Sequence, residues 1–93
     1  MGQEVQVRQS ATFRRAYKRL QANQKADVDD AVSKIVLNPL IGVAKKGDLD
    51  GVFVYKFKCR GQLALLAYEY DQASRTLLLL GSHENFYRDL KRS

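Results

Sequence analysis

A chain of 93 residues has room for one domain at the usual span of roughly 100–200 residues, which excludes any mechanism that closes two folded lobes on each other. With 16 Lys and Arg against 10 Asp and Glu the formal charge is +6, and an apolar fraction of 45% is that of a chain that folds. A single cysteine, Cys59, excludes an internal disulfide and a zinc site built on two thiolates, and it suits a reducing compartment.

Residues 4–8 alternate polar and apolar, with Val5 and Val7 on one side, which predicts a short half-buried strand at or near a sheet edge. Ser10 stands where an N-cap belongs, and Phe13, Ala16, Tyr17 and Leu20 follow at i, i+3, i+4, i+7, so an amphipathic helix is expected over 11–21. A second helix is expected from about Gln24, with Asp27, Asp29 and Asp30 at its positive end and Val28, Ala31, Val32, Ile35 and Val36 as its apolar stripe. Pro39 ends it, because the residue before a proline is pushed out of the helical region. The two helices form an α-hairpin joined near Asn23, and their apolar stripes require a sheet to cover.

The remaining sequence supplies that sheet. Residues 52–58 are dense in β-branched and aromatic side chains, Gly61 marks a turn, 63–70 reads as a central strand, 71–75 as a second turn and 76–80 as a last strand. From Ser82 the pattern turns helical, with Phe86, Tyr87 and Leu90 on one side and Arg88, Lys91 and Arg92 towards the negative end. The expected architecture is therefore α+β, in the order β-α-α-β-β-β with a short C-terminal helix, as a single domain over 1–93. No basic and apolar leader pattern is visible, and the aliphatic run 77–80 is far below the ~18 residues of a membrane span, so a cytoplasmic protein is expected.

The charge gathers in places. Lys45, Lys46, Lys56, Lys58 and Arg60 lie within one segment, and Lys56 and Lys58 share a face two strand rises apart, about 6.6–6.8 Å. Two readings fit such a pair: a solvated outer face, or one wall of an anion-binding groove. Val52 and Val54 precede them on the same face, so that face changes from apolar to cationic along its length, as a groove wall does. His83 is the sole histidine, at the expected start of the last helix, and its ring suits proton transfer near neutrality. Alone such a histidine is more often an ordinary surface residue, but Tyr87 falls one helical turn later and is able to hydrogen-bond or stack on a base. Arg14, Arg15, Lys18 and Arg19 form a basic ridge on the first helix, read equally as a phosphate contact or a solvated face. Phosphate-binding glycine loops, His/Cys clusters and closely spaced carboxylate sets are absent from the sequence, so nucleotide, cofactor and metal-dependent chemistries lack their parts.

The strings Lys45-Lys46-Gly47-Asp48-Leu49-Asp50-Gly51, Tyr55-Lys56-Phe57-Lys58-Cys59-Arg60, Leu65-Leu66-Ala67-Tyr68-Glu69 and 80–88, in this order and across nearly the whole chain, resemble the RelE/ParE superfamily of bacterial type II toxins. The resemblance implies a RelE-like fold and a toxin neutralised by a cognate antitoxin. In the RelE-like branch it implies an endoribonuclease acting on mRNA at the ribosome, and in the ParE branch an inhibitor of DNA gyrase. It maps the RelE-like catalytic positions onto Lys56, Lys58, His83 and Tyr87. The pattern departs on the third strand, where the RelE-like branch commonly has an arginine and this chain reads 62–67 without one; Arg60 is expected to reach the same phosphate.

The chemistry that fits is metal-free cleavage, in which the 2′-OH attacks its own phosphodiester, a base takes the hydroxyl proton, cations stabilise the phosphorane and an acid protonates the leaving oxygen. His83 is expected as one proton-transfer group with Lys56 or Lys58 assisting, Tyr87 as the residue that positions the nucleotide, and Lys45, Lys46, Arg60 and Arg88 as phosphate contacts. The expected partners are an acidic antitoxin that orders on binding and ribosome-bound mRNA, or DNA gyrase in the alternative, with no cofactor and no membrane.

Overall fold

The computed structural model describes residues 4–82 and 86–92. Its elements are β1 (Gln6–Gln9), α1 (Ala11–Lys18), α2 (Ala22–Leu37), β2 (Val43–Ala44), β3 (Phe53–Cys59), β4 (Gln62–Tyr70), β5 (Ser74–Ser82) and α3 (Phe86–Arg92). The sheet order is β1-β5-β4-β3-β2, with β1 parallel to β5 and the other pairs antiparallel.

Ser10 caps α1 as expected: its hydroxyl oxygen accepts the Phe13 N–H at 3.0 Å and its O–H donates to the Leu78 carbonyl at 2.6 Å, tying the helix start to β5. α1 is shorter than predicted, because the Arg19 and Leu20 N–H groups turn back onto the Ala16 and Tyr17 carbonyls and Gln21 already begins the next helix. The Gln21 N–H donates to Gln24 Oε1 at 2.8 Å, half of a glutamine-based capping box. The hairpin joint therefore lies at 19–21 rather than near Asn23, and Asn23 is inside α2. This shift corrects the reading of the three aspartates, since the first turn of α2 contains no acid. Asp27 instead accepts the Arg60 N–H, Asp29 the Tyr17 hydroxyl, and Asp30 pairs with Lys34. At the other end Asn38 is extended, at φ −145° and ψ 92°, directly before Pro39.

β1 is an edge strand, and Val7 on it is exposed rather than half-buried because only β5 flanks it. β3 keeps its expected seven residues but starts and ends one later, β4 begins one residue early, and β5 is four residues longer than its pattern, reaching Ser82, where a helix was expected to begin. β2, two residues long, had no period to reveal it.

The sheet carries a core on each face. On the helical face Phe13, Val28 and Ile35 pack onto Leu66, Tyr68 and Leu77. On the opposite face Phe86 and Leu90 of α3 cover Val52, Val54, Leu65, Ala67 and Leu79. Each fully buried Leu, Ile, Val or Phe contributes roughly 1.5–3 kcal/mol. A bulge separates the pairs Ala67–Leu79 and Tyr68–Leu77, so Leu78 has no partner on β4 and packs on the α3 side next to Leu79. That irregularity explains why four consecutive leucines, 77–80, show no alternation.

Candidate nucleic-acid interface

Alternation along β3 sends Phe53, Tyr55, Phe57 and Cys59 towards the helices and Val54, Lys56 and Lys58 to the other face. Val54 is 1% exposed under α3, whereas Lys56 and Lys58, further along the strand, are open to solvent. The predicted change from apolar to cationic along this face is thus present, and its cause is the limited reach of α3. Lys56 pairs across the ladder with Leu65, and Leu65 with Gly81, so the three form one transverse row. Lys58 pairs with Leu63, an exposed leucine that nothing in the sequence had singled out.

The hairpin after Lys58 turns through Arg60 and Gly61, with φ of 53° and 83°. Positive φ at both central residues is the two-residue turn whose twist matches the flanking strands. Glycine adopts it freely; Arg60 does not, and the Asp27 carboxylate holds it there by accepting its N–H at 2.8 Å. The Arg60 side chain is exposed at this tip, immediately beyond the strand that carries the two lysines.

A second group forms where α3 meets the loop before β3. Lys45 Nζ stands 4.9 Å from the Tyr87 ring centroid, a cation–π contact, and Tyr87 meets Phe86 edge-on at 5.4 Å. Lys46 and Arg88 are exposed. Among the described residues no hydrogen bond, ion pair or ring contact joins Lys45 and Tyr87 to Lys56 and Lys58. The two groups are connected through the core that α3 shares with β3. His83 lies outside the described residues, following Ser82, the last residue of β5.

Cys59 belongs to packing. Its thiol donates to the Gln24 carbonyl at 3.7 Å, and burial pushes it above its ordinary pKa, away from the reactive thiolate. A cleft of about 710 Å³ opens elsewhere, lined by Ser10, Leu78 and Leu90, with Asp48, Asp50 and Glu69 on its wall against a single cation, Lys91, which pairs with Asp48. Three carboxylates repel a phosphate backbone, so this cleft is not the anion site. Among the described residues no group of three His, Cys, Asp or Glu side chains is placed to hold a metal ion, and no helix is long and apolar enough to cross a membrane.

A family model described as ParE-like toxin of type II bacterial toxin-antitoxin system matches residues 7–91. The chain belongs to this family. The match takes in every element but the first residue of β1 and the last of α3, so the family's toxin fold is this chain's α+β fold. Solved toxin structures agree. A free mutant of E. coli RelE superposes with a TM-score of 0.73 at 14% identity, over 96% of this chain and 97% of that one. The RelBE2 toxin-antitoxin complex of Mycobacterium tuberculosis contains a chain with a TM-score of 0.70 at 25% identity, over 86% and 99%. The intact E. coli RelBE toxin-antitoxin complex contains one at 0.68 and 15%, over 86% and 98%. No curated protein matches the chain in sequence.

Proposed function

We propose that this toxin cleaves RNA, acting on mRNA held by the ribosome and arresting translation without a metal ion. The observation that carries the reading is the Lys56–Leu65–Gly81 row: Lys56, one of two exposed cations on β3, lies two strands, about 9.5 Å, from Gly81 near the end of β5, and His83 follows Gly81 by two residues. In this reading the 2′-OH attacks the adjacent phosphorus and the 5′-oxygen leaves. His83 carries one proton transfer, Lys56 or Lys58 the other, and both lysines neutralise charge on the phosphorane. One histidine cannot be base and acid in the same step, so a lysine must share the work. Arg60, Lys45, Lys46 and Arg88 grip neighbouring phosphates, and Tyr87 positions the nucleotide. A site this sparse depends on the ribosome to orient its substrate.

The same reading includes a cognate antitoxin, an acidic segment that orders on the basic surface, and a cytoplasmic setting. Its support is the family and the toxin-antitoxin complexes among the structural neighbours. The decisive experiment adds the purified chain to ribosomes programmed with a defined mRNA and maps cleavage. Cleavage that disappears in Lys56→Ala and His83→Ala supports the reading; cleavage unchanged in both refutes the assignment.

Inhibition of DNA gyrase is the second reading, favoured by the ParE-like description of the matching family and by exposed Arg88 and Lys91 on α3. It needs binding and no proton transfer. Supercoiling lost while translation proceeds selects it.

A further inference from the structure

The basic ridge of α1 is left over when the β3 face has been accounted for. Arg14, Arg15, Lys18 and Arg19 are all exposed, and α1 turns Phe13 and Tyr17 inward onto the sheet face opposite Lys56 and Lys58. Arg14 and Lys18, and likewise Arg15 and Arg19, are four residues apart, so cations stand in two rows with about 6 Å between neighbours along the axis. Like charges at this spacing destabilise a helix by a few tenths of a kcal/mol per pair. The negative helix end accounts for cations in the last turn but not for Arg14. Among the described residues the ion pairs are Lys34–Asp30 and Lys91–Asp48, and neither relieves the ridge.

We propose that this ridge is a second nucleic-acid surface, one that docks on the phosphate backbone of duplex RNA while the β3 face engages a separate strand. Charge complementarity names the occupant as polyanionic, and the ridge's shape narrows it. Single strands are held in grooves with aromatic platforms for their bases, whereas α1 is convex. Of the two rings on α1, Phe13 is buried, and Tyr17 is engaged on its face by Lys25 at 5.5 Å, stacked on Phe13 and held through its hydroxyl by Asp29. A convex row of cations without a stacking ring reads backbone and shape, which is how double-stranded RNA is recognised. Because the ridge and the lysine pair occupy opposite sides of the sheet, one short strand does not reach both. The choice of RNA over DNA rests on the RNA-cleavage reading.

The test is fluorescence anisotropy of a blunt RNA duplex of about 16 base pairs with the full chain, across a salt series. R14Q/R15Q/K18Q/R19Q is expected to lose at least tenfold in affinity and to flatten the slope of log K against log salt by about 3. K56A/K58A, whose cations lie on the opposite face of the sheet, is expected to lose clearly less duplex affinity than the α1 variant. Backbone amide NMR on the unsubstituted chain provides a readout independent of any variant's folding, and added duplex should shift the α1 amides and not those of β3. The proposal is overturned if the fourfold variant binds as the parent does, or if the shifts fall on β3. It is equally overturned if a DNA duplex of the same sequence, or polyglutamate as an acidic-protein probe, binds the ridge more tightly than the RNA. Absent mRNA cleavage with the α1 shifts intact overturns the RNA-cleavage reading and leaves the ridge standing as a duplex-binding surface.

Discussion

The Tyr68 hydroxyl accepts the Gly42 backbone N–H at 3.0 Å, and it donates to the Pro39 carbonyl at 2.6 Å. One buried phenol on the central strand thereby holds the loop that carries the chain from α2 to β2. The fit is tight: a Cβ on Gly42 would lie 2.7 Å from the Tyr68 oxygen and 3.1 Å from the Val54 carbonyl carbon. Gly42→Ala is therefore expected to cost roughly 1–3 kcal/mol, because Val54 is backbone and does not yield. Tyr68→Phe should cost about 1–3 kcal/mol by leaving two backbone groups without their partner. Urea denaturation followed by circular dichroism measures both, and a midpoint unchanged in Gly42→Ala would contradict the packing described.

The same phenol makes the fold sensitive to base. Burial pushes Tyr68 above its ordinary value, and the Gly42 N–H opposes this in part by favouring the phenolate. A group raised in the folded state contributes stability that is whole below its unfolded pKa, about 10, and is lost as pH climbs from there to the folded value. The parent chain should thus lose stability above pH ~10 more steeply than Tyr68→Phe, which lacks the proton. Tyr17, raised by its hydrogen bond to Asp29, acts in the same direction and remains in both proteins. Equal slopes for the two proteins in thermal melts from pH 8 to 11 would remove Tyr68 from this account.

Arg75 is 6% exposed, and its guanidinium closes the end of α2. Nε donates to the Ile35 carbonyl at 3.3 Å, Nη2 to Val36 at 3.1 Å and Nη1 to Asp71 at 2.8 Å. Helix C-termini leave four carbonyls without intrahelical partners, and this fork satisfies two of them from β5, on the sheet face the helices cover. Arg75→Met is expected to cost about 2–4 kcal/mol, and Arg75→Lys nearly as much, since an ammonium does not reproduce the planar fork. Comparison of urea midpoints decides it: full rescue by lysine would mean that charge alone matters.

Much of this architecture is legible in the residues, and what is not has physical reasons. Phe13, Ala16 and Tyr17 fall on a helical stripe, Ser10 has the geometry of a cap, and Pro39 stops α2 through Asn38, because each of these is a local effect. β2 and the bulge at Leu78 are imposed by neighbouring strands and leave no periodic trace. The start of α2 was misplaced because glutamines, not a serine or aspartate, form its cap, and the three aspartates were misread with it. At the candidate site, strand alternation suffices to put Val54, Lys56 and Lys58 on one face. The Asp27–Arg60 bond spans 33 residues and the Lys58–Leu63 pairing depends on turn length, so both are tertiary facts. Burial of Arg75 is the clearest miss, since a strand-end arginine in a turn-rich stretch reads as a surface residue.

Leu63 offers the sharpest handle on the departure from the RelE-like pattern. It lies opposite Lys58 on the cationic face and is 40% exposed, whereas Leu65, opposite Lys56, is fully buried under the α3 core. An arginine is accommodated at the first position and not at the second. Leu63→Arg should alter stability by no more than about 0.5 kcal/mol, since a half-exposed edge residue accepts a long cation whose stem covers the strand. Leu65→Arg should cost roughly 3 kcal/mol or more by forcing an unpaired charge into the core. If the lysine face works by stabilising a phosphorane, the added guanidinium beside Lys58 should raise mRNA cleavage on programmed ribosomes at least tenfold, a fraction of the roughly 10²–10³-fold that one ideally placed donor to a developing oxyanion supplies. If the chain acts on gyrase instead, Leu63→Arg should leave supercoiling inhibition where it was. Cleavage measured side by side for the parent and Leu63→Arg separates the two, and a drop in cleavage would place the substrate phosphate away from Lys58.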